Sequence, residues 1–231
     1  MKPFTIVSVT KRDGWFARAC GQVAKQSSKP VKWVIVPEIP LTDIHQADMP
    51  CPVELWPAPP HLRVSNLNAS LNEGLRHVDT PYVIFYQDLI DLPQHCFARL
   101  LKHVDNRTFV TTVTKNDDHT TEEDPRYTGL NRARLCPPEE WESNVAAAPM
   151  DMIRALGGFD AEYDAGWSWD NVNLAQRAAM LGARFICDEA NRPQLLYHPK
   201  ERSIPLNAEF HERVLDDTRR GLRPLRLPYL D

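Results

Sequence analysis

Gly157-Gly158-Phe159-Asp160, then Gly166-Trp167-Ser168-Trp169-Asp170-Asn171-Val172-Asn173-Leu174, and later Tyr197-His198-Pro199 form the part of this chain richest in groups that can do chemistry. A helical pattern starts at Asn171, so Asp170 stands at a helix head, in a turn lined by glycine and tryptophan. A carboxylate there can take a proton from a hydroxyl group. The helix N-terminus favours its ionised form and desolvation by Trp167 and Trp169 favours the neutral one, and the sequence does not rank the two. Capping the helix is the plainer role for this aspartate and is compatible with the first. Both tryptophans read as packing residues, with a stacking face for a ring as the sharper alternative. A second acidic group, Asp88 with Asp91 behind it, follows the apolar run Tyr82 to Tyr86. Such oxygens are either ordinary loop acids or ligands for Mg²⁺ or Mn²⁺.

The elements that must position these groups alternate. Phe4 to Val9, Val31 to Val36, Val53 to Trp56, Tyr82 to Tyr86, Asn144 to Ala148 and Phe185 to Cys187 are short apolar or β-branched runs that read as strands. Between them lie helical patterns at about Trp15 to Lys25, from a Ser65 cap through Leu67, Leu71 and Leu75 to near Val78, and through Phe97, Leu100, Leu101 and Val104. Met150 to Leu156, closed by Gly157, Asn171 to Leu181, closed by Gly182, and Asn207 to Asp217 complete the set. Strands alternating with amphipathic helices predict an α/β fold with a mainly parallel central sheet, whose ligands bind outside the carboxyl ends of the strands. That rule directs attention to Thr10 to Arg12, Glu38 and Gln87 to Asp91. Lys115 to Pro138 is polar and without period, which fits a functional flap or a disordered loop.

A length of 231 residues suits one domain, expected over 1–203 with a C-terminal helix and basic arm, 204–231, packed on it. The net charge of -4 gives no general pull toward nucleic acid, although Arg219, Arg220, Arg223 and Arg226 make the arm locally basic. Five cysteines with no Cys-x-x-Cys pair read as the reduced thiols of a cytoplasmic protein. No stretch approaches the ~18 apolar residues of a membrane span. Gly-x-Gly-x-x-Gly after the first strand, Gly-x-x-x-x-Gly-Lys-Ser/Thr and Gly-x-Ser-x-Gly are all absent, which removes the backbone requirements of nicotinamide, P-loop and esterase chemistry.

The Gly157 to Asp160 and Gly166 to Leu174 segments resemble the GGFD and GWGGED-x-DL signatures of family 2 glycosyltransferases, inverting enzymes of the GT-A fold. Thr10-Lys11-Arg12 is similar to the turn after the family's first strand, Gln26 and Trp33 to Val36 to its second strand, and Asn72-x-Gly74 to part of its ARNxG helix, with Leu71 in place of the arginine. The resemblance implies a GT-A-like domain that moves a sugar from a nucleotide-sugar donor to an acceptor hydroxyl with inversion. The acceptor, whether small molecule, glycan or macromolecule, is left open. It further implies that Thr10, Arg12, Glu38, Asn72, Gln87, Asp88, Trp167 and Trp169 bind the donor, that Asp88 and His198 hold Mn²⁺ or Mg²⁺, and that Asp170 is the base. Two departures stand out. The family's paired metal-site aspartates are reduced to Asp88 within Gln87-Asp88-Leu89, with Asp91 as reserve, and its Glu-Asp pair is here Asp170-Asn171, with Asp164, Asp160 and Glu142 as reserve bases. These losses also fit an inactive GT-A-like module that binds nucleotide sugar or carbohydrate. The basic arm also fits a glycosyltransferase with a macromolecular acceptor such as nucleic acid.

Overall fold

The computed structural model describes residues 2–44, 48–60, 65–116, 124–166, 168–196 and 207–230. Eleven strands and six α-helices alternate along these residues. β1 (Phe4–Thr10), β2 (Lys32–Pro37), β3 (Val53–Leu55) and β4 (Tyr82–Tyr86) are the four strands of the N-terminal half in the main sheet, with α1 (Phe16–Ala24) and α2 (Leu67–Arg76) between them. After the short β5 (Ile90–Asp91) come α3 (Cys96–His103), β6 (Thr108–Thr112), β7 (Lys115–Asn116), β8 (Ala133–Leu135) and β9 (Val145–Pro149). α4 (Met150–Leu156), α5 (Asp170–Met180), β10 (Arg184–Asp188), β11 (Gln194–Leu195) and α6 (Ala208–Arg219) complete the chain.

The main sheet has eight strands in the order β3-β2-β1-β4-β9-β6-β10-β8, and β5, β11 and β7 make a small second one. Its β3-β2-β1-β4 half is parallel, as is the β6-β10 pair. β9 runs antiparallel to both its neighbours and β8 runs antiparallel to β10. This mixture makes the sheet mostly, and not wholly, parallel. It matters for the site because an antiparallel strand starts where its parallel neighbours end.

Alternation along β1 divides the core. Phe4 and Ile6 enter a cluster with Phe16, Val23, Trp33, Tyr86, Phe97 and Leu100, under α1 and α3. Val7 and Val9 enter the opposite cluster with Leu71, Phe85, Trp141, Ile153, Phe159 and Leu174, under α2, α4 and α5. Side chains of successive strand residues point to opposite faces, so one apolar run feeds both layers. α2 lies so close to the sheet that a Cβ on Gly74 would stand 2.7 Å from Val7 Cγ1.

Of the two readings of the polar tract after Lys115, flap or disordered loop, the second does not hold for its described residues 124–138. That part is tied to the core by charge. Glu189, fully buried, accepts hydrogen bonds from Thr128 Oγ1 at 2.6 Å, the Thr128 and Leu130 amides, and Arg134 Nε at 2.6 Å. Asp124 accepts from Arg126 Nη2 at 2.5 Å and from Thr114. Buried ions are tolerated when paired and hydrogen-bonded, and here they hold an otherwise patternless segment.

The C-terminal arm is no solvated tail. Arg223 reaches the fully buried Asp160 at 2.6 Å and Glu162 at 2.9 Å, the Leu227 amide donates to the Leu156 carbonyl, and Leu227 itself is buried. Arg177, buried on α5, holds the junction by donating to the Leu156, Gly158 and Leu225 carbonyls at 2.9, 2.7 and 3.3 Å. All five cysteines are free. Among the described residues, no helix is long and apolar enough to cross a membrane.

Candidate active site

Three chain segments meet at the carboxyl edge of β1 and β4. β1 ends at Thr10, whose hydroxyl donates to Asp88 Oδ2 at 3.0 Å, just past β4. Arg12 Nε is 3.6 Å from the same oxygen. The Glu38 amide donates to the Thr10 carbonyl at 2.8 Å, which puts Thr10, Arg12, Glu38 and Asp88 on one edge of the sheet. β9 begins at this edge, so the residues leading into it, Glu142, Ser143 and Asn144, face the end of β4, with the Gln87 amide donating to the Asn144 carbonyl at 3.0 Å.

The third segment is the head of α5. Asp160 bonds the Glu162 amide and starts a 3-10 turn, Ala161–Ala165, ending at Gly166. Asp164, buried in this turn, accepts from the Asn68 and Ala69 amides at 2.9 and 3.0 Å and so caps α2 from a distance. Ser65, expected to cap that helix, only receives the Leu67 amide at 3.3 Å. Ser168 and Trp169 then both take left-handed backbone angles, with φ of 70° and 72°. An L-residue pays about 1–2 kcal/mol for that conformation, so the turn is strained. It delivers Asp170 as the first residue of α5, and the cap position falls to Trp169. Ser168→Gly is therefore expected to raise stability by about 1 kcal/mol, as a higher midpoint in urea unfolding.

These segments enclose a cleft of about 360 Å³ lined by Gln87, Asp88, Glu142, Asn144, Asp170 and Asn171, among others. Asp170 is 6% exposed, and its Oδ2 is buried with no hydrogen-bond partner among the described residues. Desolvation pushes its carboxyl up to about 6, against hydrogen bonds from its own amide and that of Asn171, while Asp164 and Glu142 add repulsion. Of the opposing effects on this carboxyl, burial is the larger. Glu142 is also pushed up by burial, against the attraction of Arg126, 3.2 Å away.

Several expected site residues have other work. Asn72, 2% exposed, spends its side chain on Phe159, with Nδ2 donating to the carbonyl and Oδ1 accepting from the amide, both at 2.8 Å. It locks the Gly158-Phe159 turn to α2. Trp169 is turned onto α6, where its indole stacks on His211 at 4.8 Å, while Ser168 and Asp170 line the cleft. Thr10 is buried and orients Asp88. Asp91 is held by Arg18 at 2.9 and 2.5 Å, Asp160 by Arg223, and Asp164 by the amides at the head of α2. Trp167 and His198 lie outside the described residues.

Ser143, Asn144 and Tyr163 escaped sequence reasoning. Asn144 reaches the cleft because β9 runs antiparallel, Ser143 is buried beside it, and Tyr163 arrives on the 3-10 turn Ala161–Ala165.

For a divalent cation, the described residues provide Asp88 as one hard oxygen anchor, and no group of three His, Cys, Asp or Glu side chains among them could hold the ion alone. That donor set fits an ion that keeps waters and takes its remaining ligands from substrate phosphates.

No protein-family model and no curated protein matches the chain. Solved structures do. S. aureus TarS 1-349 in complex with UDP-GlcNAc superposes with a TM-score of 0.69 at 13% identity, covering 92% of this chain and 64% of that one. A further structure of S. aureus TarS gives 0.67 at 13% identity, covering 94% of this chain and 39% of that one. GalNAc-T7 with UDP, GalNAc and Mn²⁺ gives 0.62 at 12%, over 86% of this chain and 44% of that one. The chain thus spans less than two thirds of each. At this identity the likeness shows the fold, that of the GT-A glycosyltransferases.

Proposed function

We propose that this chain is a glycosyltransferase that moves a sugar from a nucleotide-sugar donor to an acceptor hydroxyl with inversion at the anomeric carbon. The observation that carries the reading is the cleft shared by Asp88 and Asp170, in which one carboxylate is anchored by Thr10 and the other keeps a buried oxygen without a partner among the described residues. The GT-A fold supports it. Asp170 accepts the acceptor's proton as the hydroxyl oxygen forms its bond to the anomeric carbon. The bond from that carbon to the diphosphate breaks, and its electron pair leaves with the nucleoside diphosphate. Arg12, beside Asp88, adds positive charge where the diphosphate departs. A Mg²⁺ or Mn²⁺ anchored by Asp88, with His198 as a further ligand, would supply the rest of that neutralisation.

Two findings bear on the rivals. Asp170 retains the oxygen a base needs, which favours catalysis over the inactive binding module. The basic arm spends Arg223 on Asp160 and pairs Arg220 with Asp216 at 3.2 Å, which weakens the case for a nucleic-acid acceptor. Free thiols suit a reducing compartment, in keeping with a cytoplasmic location.

Release of nucleoside diphosphate from UDP-, GDP- and dTDP-sugars, with and without Mn²⁺, tests the reading. Turnover of one donor supports it, and donor binding without turnover supports the binding module. In calorimetric titrations, Asp88→Ala is expected to lose the metal-dependent part of donor affinity. An unchanged isotherm would remove Asp88 from the site.

A further inference from the structure

The two departures from the family pattern, Gln87 and Asn171, are joined to each other. Ser143 is fully buried between them. Gln87 Nε2 donates to Ser143 Oγ at 3.3 Å, and Ser143 Oγ donates to Asn171 Oδ1 at 2.7 Å. Gln87 precedes Asp88 at the end of β4, and Asn171 follows Asp170 at the head of α5, so the bridge spans the two elements that carry the carboxylates of the cleft.

A serine hydroxyl has one proton to give and lone pairs to receive. With an amide N–H on one side and an amide oxygen on the other, the chain is satisfied throughout and carries no charge. Carboxylates at both positions would compete for that single proton, and the one left without it would be a partly buried charge facing a lone pair, a costly arrangement. Each departure therefore fits the other, and the pair makes chemical sense only through Ser143.

We propose that Ser143 is a positioning residue that, through Gln87 and Asn171, fixes Asp170 at its working distance from Asp88. The proposal rests on the reading of Asp170 as the base. Small errors in such a distance are expensive, since about 1 Å of misplacement can cost on the order of 100-fold in rate.

Three substitutions break the bridge: Ser143→Ala removes the hydroxyl and with it both links, Asn171→Leu removes the acceptor and Gln87→Met removes the donor. Each is expected to lower kcat by about 10- to 100-fold, and Ser143→Ala, which removes no group from the cleft lining, should do so with little change in the KM of the donor. The double variant Ser143→Ala/Asn171→Leu should be no slower than either single one, because a chain already cut cannot be cut again. Asn171→Asp, which keeps an acceptor for the Ser143 proton, should retain most of the rate. The same cycle is read in urea unfolding, where the two losses should again fail to add. Additive losses in both readouts, or a Ser143→Ala variant with parental kcat, would overturn the proposal. A parent protein without turnover would instead overturn the sugar-transfer reading, and the unfolding cycle alone would then decide whether the bridge couples the two elements.

Discussion

Asp170→Asn should lower turnover by about 10²- to 10⁴-fold, the usual contribution of a general base, while leaving donor affinity nearly intact. The same variant should be more stable than its parent at high pH, and the sign follows from linkage. Burial raises the carboxyl of Asp170 from the ordinary range to about 6, so between about pH 4 and pH 6 the folded protein binds a proton that the unfolded chain has released. The stability held by that protonated carboxyl is fully present below about pH 4 and is lost as pH rises through 6. Above pH 6 the parent therefore carries a penalty of about 3 kcal/mol that an asparagine does not. Urea unfolding of both proteins at pH 4 and pH 8 measures it as a stability difference that grows in favour of Asp170→Asn. The parental kcat/KM should also rise with pH through a limb near 6. A variant with parental turnover and no pH-dependent gain in stability would show that Asp170 neither transfers a proton nor titrates where its burial puts it.

Gly157→Ala should be the most disruptive change on the far side of the same turn. Gly157 closes α4 with φ of 71°, and a Cβ there would stand 1.6 Å from the Leu227 carbonyl oxygen. That atom is backbone, so the arm must move. The left-handed conformation alone costs a non-glycine residue about 1–2 kcal/mol, and loss of the docked arm adds the buried Leu227 and the bond from Arg177 to Leu225, for a total of roughly 3–5 kcal/mol. Thermal denaturation should show a large fall in midpoint, and trypsin should cut after Arg226 in the variant and spare that bond in the parent. Equal stability and equal protection would mean that the arm is not seated as described. Turnover should fall as well, because Arg223 of the arm also braces Asp160, from which the turn leading to Asp170 begins.

The sheet was legible wherever one apolar run fed both faces. The alternation of Phe4 and Ile6 against Val7 and Val9 defines β1, and similar runs define β2 and β4. β6, Thr-Phe-Val-Thr-Thr, was missed because its threonines break the apolar run, although all five residues are buried. Strand direction was legible for the parallel strands, which the alternation with helices predicts, and not for the antiparallel ones. The sequence of β9 does not say that it runs against its neighbours, and from that direction follows the arrival of Glu142, Ser143 and Asn144 at the cleft.

The motifs were legible as motifs and only partly as roles. Asn72 and Gly74 stand where the family pattern puts them, yet one clamps the Phe159 backbone and the other lets α2 approach Val7. Asp160 and Asp164 read as spare acids because their partners, Arg223 and the amides at the head of α2, are far away in the chain. Local sequence can show that a carboxylate is present. Whether it caps, pairs or stays unpartnered is decided by contacts between distant segments, and of the acids around this turn Asp170 alone keeps a buried oxygen without a partner among the described residues.

A crystal structure of the protein grown with a UDP-sugar and Mn²⁺ tests the central claim most directly. The account predicts the diphosphate beside Asp88 and Arg12, with the anomeric carbon turned toward Asp170 across the cleft. A nucleotide seated elsewhere, for instance in the 460 Å³ cavity lined by Pro57, Arg76 and Tyr229, or an anomeric carbon directed away from Asp170, would contradict it.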